Sequence, residues 1–111
     1  MAEETKLPFE LAEGEELEKT FASDYWEKFL FTRSQVRGRY WFTNQRILFG
    51  TWGMIKVEIP YNKISAAVTC NVGLFIPTGI KLTMDDGTVH VLSVTKRSEN
   101  LDFIKAKMLH F

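Results

Sequence analysis

Residues 38–49 read GRYWFTNQRILF, and this stretch predicts a β-hairpin at the centre of the fold. From 35 to 43, apolar residues alternate with polar or cationic ones, which is the period of a strand with one buried face. Asn44 and Gln45 follow, and asparagine tolerates the positive φ that a tight turn needs. Residues 46–52 are then predicted to return as the paired strand.

Working outward, strand signals run from near Glu16 to about Val94, as aromatic and β-branched runs broken by glycine and proline. The Asp-Gly pair at 86–87 stands between two alternating apolar runs and favours a second hairpin. Beyond the central hairpin, strands are predicted over 54–59, 64–72, 79–84 and 88–94, and with the strand signals that begin near Glu16 the count is about seven.

Helical spacing is found only at the end of the chain. Leu101, Ile104 and Met108 fall at i, i+3 and i+7, which predicts an amphipathic helix over 97–109. A small antiparallel sheet leaves an open end, and one helix is the natural cover for it. The expected fold class is therefore mainly β: a seven-stranded antiparallel barrel or sandwich capped by a C-terminal helix.

The central stretch also resembles a family signature. Residues 38–49 are similar to the pattern G-x-aromatic-x-hydrophobic-Thr-Asn-x-Arg-hydrophobic-hydrophobic-Phe of GRAM and bacterial pleckstrin-homology-like (PH-like) domains. IPYNKI at 59–64 resembles the family's I-P-hydrophobic-x-x-I step, and the DDG at 85–87 resembles its late hairpin. The resemblance covers about residues 16–109 and implies the PH-like seven-stranded barrel with its capping helix, a fold that hosts many functions.

Length and cysteine content indicate one domain without disulfides. A chain of 111 residues is large enough for a single core, and Cys70 has no second cysteine to pair with. Residues 1–15 are rich in glutamate and are expected to be an extended or poorly ordered lead-in, with a single PH-like or GRAM-like domain over 16–111. Because no secretory pattern or membrane span is evident, a cytoplasmic location, or a peripheral one at the membrane, is expected.

Residues suited to catalysis or metal binding are few and scattered. Cys70 lies in an apolar run and is expected to be a small buried hydrophobe. His90 is expected to face solvent, and His110 lies next to the C-terminus. No nucleophile with a base, and no set of metal ligands in paired spacing, is identifiable. The chain is therefore expected not to be an enzyme and to hold no cofactor or metal.

The neutral net charge conceals a dipolar sequence. Residues 1–27 carry a net charge of −7, residues 28–63 one of +6, and the remainder one of +1. Overall neutrality and the acidic lead-in argue against nucleic acid as a partner. This uneven distribution of charge predicts either that the acidic segment masks a basic face or that this face is free to bind an anion. Arg46, just after the predicted turn, is expected to brace loop carbonyls or to pair with Glu58.

The predicted ligand-binding residues are four cations. Arg37 and Arg39 lie on one face of a strand, and Lys28 and Arg33 lie in the segment leading into it. The order Lys28, Arg37-x-Arg39 resembles the pattern by which some PH domains hold phosphoinositide headgroups, so an anionic headgroup or an acidic partner is a candidate ligand. The alternative is a solvated strand face paired with glutamates of the lead-in.

The predicted interface residues are Trp41, Trp52, Phe75 and Ile76. Both tryptophans fall on the arginine-bearing side of their strands, where a large ring in water is unfavourable unless something covers it. Phe75 and Ile76 belong to an apolar run at 73–79 that is expected to form a hairpin tip. Internal packing explains either set, and so does contact with a second subunit or a lipid surface.

Together these features predict a non-catalytic PH-like interaction module. The leading hypothesis is an adaptor that binds another protein, or a second copy of itself, through edge strands and the tryptophan-bearing face. The alternative is a peripheral membrane module that binds anionic lipid headgroups through the four cations, with Phe75 and Ile76 dipping into the interface.

Overall fold

The chain folds into one seven-stranded antiparallel sheet followed by a single helix. The computed structural model describes residues 7–29, 32–73 and 75–109. A 3₁₀ turn, Tyr61–Lys63, precedes the fifth strand, and the helix α1 spans Arg97–Met108. The strands are β1 Leu17–Phe29, β2 Thr32–Thr43, β3 Arg46–Thr51, β4 Met54–Pro60, β5 Ile64–Val72, β6 Ile76–Met84 and β7 Val89–Ser93.

The order of strands across the sheet is β4-β3-β2-β1-β7-β6-β5, and the sheet curls into a half-barrel. β1 pairs with β2 along most of its 13 residues, whereas only Asp24, Tyr25 and Trp26 also pair with β7. Every other neighbouring pair of strands is consecutive in sequence, so β1 alone joins the two halves of the sheet. This is the PH-like arrangement that the sequence predicts, and the predicted fold class is confirmed.

The inner face of the sheet carries the core. Its fully buried side chains recur at alternate positions of the strands: Tyr40, Phe42, Ile47, Phe49, Ile80, Leu82 and Leu92. α1 packs on this core through Ile104, with Leu101 and Met108 partly buried beside it, as the helical spacing predicts. Within the described ranges, no helix combines the length and the apolarity needed to cross a membrane.

The connection between β5 and β6 differs from the prediction. The run 73–79 was expected to form a hairpin tip, but β6 begins at Ile76, which pairs with Val72. Gly79 lies within β6, where an added Cβ would meet the Cys70 Sγ at 2.7 Å. The close packing of β5 against β6 therefore explains why a glycine occupies this position. Phe75 and Ile76 remain 82% and 53% exposed, and Leu74 lies outside the described residues.

We expect Ile104→Ala to lower the free energy of unfolding by about 2–5 kcal/mol, because it leaves a cavity where α1 meets the core. Lys105→Ala, at an exposed position of the same helix, is the matched control and should change it by less than about 0.5 kcal/mol. Urea denaturation followed by circular dichroism measures both variants. Equal effects would mean that Ile104 does not anchor the helix.

Candidate functional site

The turn between β2 and β3 binds the N-terminal segment, defined here as residues 7–16. Asn44 accepts a hydrogen bond from the amide of Glu16 at 2.9 Å and donates one to the carbonyl of Gly14 at 3.0 Å. Gln45 donates to the carbonyl of Glu13 at 3.1 Å. Asn44 does not adopt the positive φ that was expected of it.

Arg46 and Glu15 form a two-pronged ion pair beneath the segment. Nε of Arg46 lies 2.7 Å from Glu15 Oε2, and Nη2 lies 3.0 Å from Oε1, with the Glu15 side chain fully buried. The same guanidinium donates to Glu58 at 2.9 Å and to the carbonyl of Glu10 at 2.9 Å. The prediction that Arg46 braces loop carbonyls or pairs with Glu58 is confirmed in both forms, whereas its pairing with Glu15 was not anticipated.

Glu15 remains ionised inside this cluster. Burial by itself raises the pKa of its carboxyl, but hydrogen bonds from Arg46, Ala12 and Thr43, with the attraction of the guanidinium, lower that pKa from 4.5 to about 2. The Ala12 amide and the Thr43 hydroxyl each donate at 2.7 Å. A buried ion pair is tolerated when its hydrogen-bonding capacity is filled, as it is here.

The part of the lead-in that the structure describes is therefore attached to the sheet. Residues 1–15 were assigned to an extended or poorly ordered lead-in, but residues 10–15 contribute the contacts to Arg46 and its turn. Residues 1–6 lie outside the described residues. Among the described residues, the lead-in thus pairs with Arg46, whereas Arg37 pairs with Asp24 of β1.

Trp41 is covered by the same segment. The ring of Phe9 lies 5.8 Å from that of Trp41, edge to face, and 5.5 Å from the guanidinium carbon of Arg46. Trp41 is consequently only 9% exposed. Trp41 nevertheless lines a depression together with Arg37 and Arg39, and its predicted interface role stays a prediction.

The four predicted cations do not form one site. Lys28 of β1 and Arg33 of β2 lie opposite each other in the backbone register near the end of the β1–β2 hairpin. Both residues line a groove. Arg37 and Arg39, further along β2, line a separate depression. The sequence spacing placed all four together because it takes no account of how the hairpin curls along its length.

The open groove is a concavity of about 820 Å³ between the β1–β2 hairpin, β4 and the β6–β7 hairpin. Its cations are Lys28, Arg33, Lys56 and Lys81, and its carboxylates are Glu27 and Glu58. Sequence reasoning missed Lys56 and Lys81, because they reach the groove from strands that are remote in the chain. Two of the four cations were thus predicted, and the curvature of the sheet supplies the other two.

One wall of the open groove carries a histidine. The hydroxyl of Tyr25 lies 2.7 Å from Nδ1 of His90, and Arg33 donates to the carbonyl of Trp26 at 3.1 Å. The prediction that His90 faces solvent is wrong, since it is half-buried here. Burial, and then the charge of Arg33, lower the pKa of His90. At neutral pH the positive charge of the groove therefore comes from lysine and arginine.

The Trp52 face, defined as Trp52, Arg37 and Arg39, surrounds a depression of about 640 Å³. The Arg37 side chain is 72% exposed and pairs with Asp24 at 3.2 Å. Arg39 is exposed and donates to the hydroxyl of Thr20 at 3.0 Å. An exposed ring beside two exposed guanidinium groups gives this face both apolar and cationic character.

Trp52 stands at the tip of the β3–β4 hairpin. With Gly53 it connects the paired residues Thr51 and Met54, and the two have φ values of 53° and 75°, the signs that a type I′ turn requires. Trp52 is 98% exposed, and Met54 beside it is 68% exposed. The sequence placed Trp52 on the arginine-bearing side of a strand, whereas it lies in the turn that follows β3.

The remaining candidates lie outside both concavities. Phe75 and Ile76 line neither the open groove nor the depression of the Trp52 face. Burial raises the pKa of the Cys70 thiol, which disfavours the reactive thiolate. His110 lies outside the described residues.

Comparison with known proteins bears on the fold alone. No family model matches the chain, and no curated protein matches it. A similar solved structure is the C-terminal domain of an unknown protein from Leishmania infantum, with a TM-score of 0.68, 17% sequence identity and coverage of 87% of each chain. The chain therefore shares its fold with that domain.

The stability of the fold should depend on pH through the ionisation of Glu15. The pKa of Glu15 is lower in the folded state, so the ionised carboxylate stabilises the fold above about pH 5, and this contribution is lost as the pH falls towards 2. We expect Glu15→Gln to lower the free energy of unfolding by about 2–3 kcal/mol at pH 7 and by much less at pH 2.

Denaturant titrations across this pH interval measure the effect. Glu13→Gln, in the same segment but exposed, is the control and should follow the wild-type curve. A Glu15→Gln variant that loses as much stability as the wild type between pH 5 and 2 would show that the ion pair does not fasten the segment.

Proposed function

We propose that this chain is a non-catalytic interaction module of the GRAM or bacterial PH-like type that binds a partner protein through the Trp52 face. The observation that carries the proposal is Trp52 itself. It is 98% exposed and sits at a positive φ. Both properties are unfavourable for a tryptophan in an isolated chain.

The first central position of a type I′ turn favours asparagine, aspartate or glycine. A residue with a larger side chain is held there at a cost of about 1–2 kcal/mol. Among the described residues, Trp52 stacks on no other ring and lies under no cation. Strained and exposed residues of this kind are typical of binding sites, where contact with the partner offsets the cost.

The neighbours of Trp52 indicate the chemistry of the partner. Tryptophan and arginine are the residue types most enriched among those that dominate binding energy at protein interfaces. Arg37 and Arg39 flank the depression beside the ring. A matching surface would present an apolar cleft for the indole with carboxylates near it, where charge-assisted hydrogen bonds to guanidinium groups form.

We expect Trp52→Asn to stabilise the fold while abolishing binding, because asparagine suits both the positive φ and the solvent. The free energy of unfolding should rise by about 1 kcal/mol and the Tm by several degrees. Thermal and urea denaturation measure this change. A variant that is less stable than the wild type would contradict the argument from the turn.

Binding is tested with immobilised wild type, Trp52→Asn and the control Met54→Ser, which removes an exposed apolar side chain next to the turn. Proteins captured from an extract of the source organism are quantified by mass spectrometry, and the leading candidate is purified and titrated. A partner retained equally by wild type and Trp52→Asn would exclude the Trp52 face.

A second function is supported by the open groove, which suits an anionic lipid headgroup. Lys28, Lys56 and Lys81 converge there with Arg33, and among the described residues none of these lysines forms an ion pair with a carboxylate. Of the groove's carboxylates, Glu58 pairs with Arg46 at 2.9 Å, and four cations against two carboxylates leave the groove net positive. Cations on several strands can donate together to one phosphate.

For the headgroup function we expect Lys28→Ala with Lys56→Ala to weaken binding to anionic vesicles about tenfold or more, at about 1 kcal/mol for each lysine. Arg37→Ala with Arg39→Ala removes the same charge from the Trp52 face and is the matched control. Co-sedimentation uses phosphatidylcholine vesicles with and without a phosphoinositide, and inositol hexakisphosphate as the soluble competitor. Equal losses in the two variants would indicate attraction by net charge alone.

A further inference from the structure

The floor of the open groove is apolar. Four of its lining residues form two directly opposed pairs in the strand register, Tyr25 with Val36 and Phe49 with Val57. Opposed residues project from the same face of a sheet, and the rings of Tyr25 and Phe49 stack with their centroids 5.4 Å apart. Together the four side chains form one apolar surface across β1, β2, β3 and β4, which we call the groove floor.

The groove floor is a part of the core that α1 does not cover. Tyr25 and Phe49 belong to the buried core, and Val36 and Val57 pack against it while staying half-buried. α1 packs mainly on β5, β6 and the 3₁₀ turn, and none of its described residues lines the groove. The floor therefore presents apolar side chains to a concavity, and removing them from water would be favourable.

A tyrosine and a histidine bound the groove floor on the side of β7. The Tyr25 hydroxyl lies 2.7 Å from Nδ1 of His90, and the centroids of the two rings lie 6.0 Å apart. Burial lowers the pKa of His90, so the imidazole is neutral at neutral pH. The floor consequently carries no charge of its own under these conditions.

The cations of the open groove are separate from its floor. Lys28, Lys56 and Lys81 line the groove and are exposed, and together with Arg33 they outnumber the two carboxylates there. Exposed cations favour contact with an anion, whereas half-buried valines favour contact with hydrocarbon. A polyphosphate headgroup would use the cations alone and leave the floor in water. A molecule with one acidic group and an apolar chain would use both.

We propose that the open groove binds a small anionic amphiphile, with its acidic group at Lys28 and Lys56 and its apolar chain on the groove floor. The inference rests on the headgroup function proposed above and names the ligand class, since the chain enters the protein instead of staying in a bilayer. The volume of about 820 Å³ lies within the range of small-molecule sites, which are mostly apolar with a few polar groups.

A series of alkyl phosphates of increasing length tests the role of the chain. Inorganic phosphate and butyl, hexyl and octyl phosphate are titrated below their micelle concentrations by isothermal calorimetry. Affinity should rise about threefold for each methylene that enters the groove, so octyl phosphate should bind about thirtyfold or more tightly than butyl phosphate. Octyl glucoside has the same chain without the charge and should bind far more weakly than octyl phosphate.

Variants separate the floor from the cations. Val57→Thr keeps the shape of the side chain but makes the floor polar, and should weaken octyl phosphate several-fold while leaving inositol hexakisphosphate unchanged. Val68→Thr is the matched control, because Val68 is 50% exposed and does not line the groove. Lys56→Ala should weaken every phosphate in the series by a similar factor. Thermal denaturation checks that each variant is folded.

Methyl resonances of the wild type locate the chain without a substitution. Octyl phosphate should shift the methyl signals of Val36 and Val57 in proton–carbon NMR spectra and leave those of Val68 in place. Shifts at Val68 as large as those at Val57 would place the chain elsewhere and overturn the proposal.

The outcomes distinguish this inference from the function on which it rests. If inositol hexakisphosphate binds through Lys56 but octyl phosphate binds no more tightly than butyl phosphate, the amphiphile is excluded and the headgroup function stands. If no phosphate binds, both fail. Equal binding of octyl glucoside and octyl phosphate would also overturn the proposal, because the cations would then take no part.

Discussion

The attachment of the N-terminal segment to the sheet depends on the pairing of Arg46 with the buried carboxylate of Glu15. Thr43 positions that pair, because its hydroxyl accepts hydrogen bonds from the backbone amides of Gln45 and Arg46 and donates one to the carboxylate of Glu15. The same side chains that close the β2–β3 turn therefore hold residues 10–16 against the sheet. The segment in turn places Phe9 over Trp41, which is only 9% exposed.

Local patterns predicted most of the fold, because they record which face of a strand or helix is buried. The alternation through Tyr40 and Phe42 and the helical spacing at Ile104 both correspond to buried faces. The errors concern contacts made over long separations. Nothing near Glu15 in the sequence indicates that Arg46 neutralises it. Likewise, the curl of the β1–β2 hairpin, and not its spacing, separates Lys28 and Arg33 from Arg37 and Arg39.

Two concavities of the described residues, the open groove and the depression of the Trp52 face, lie on different structural elements. The open groove is built by the ends of hairpins, and the Trp52 face by the outside of β2 and a strained turn. A PH-like fold fixes none of these surfaces, since its core residues point inward. Part of the charge of the acidic N-terminal region is compensated within the molecule, because Glu15, Glu18 and Asp24 each pair with a cation.

The strand order constrains how the molecule assembles. Strands β1 to β4 form successive hairpins, as do β5 to β7, so each half consists of contacts between neighbours in sequence. The halves meet at three residue pairs between β1 and β7. The two members of each pair are more than sixty positions apart along the chain. Closing so long a loop costs entropy that local hairpins do not incur, and this favours formation of the two meanders before their union. The seam at Asp24, Tyr25 and Trp26 is consequently where the folded sheet is held by the fewest strand pairings, and where the halves separate first on partial unfolding.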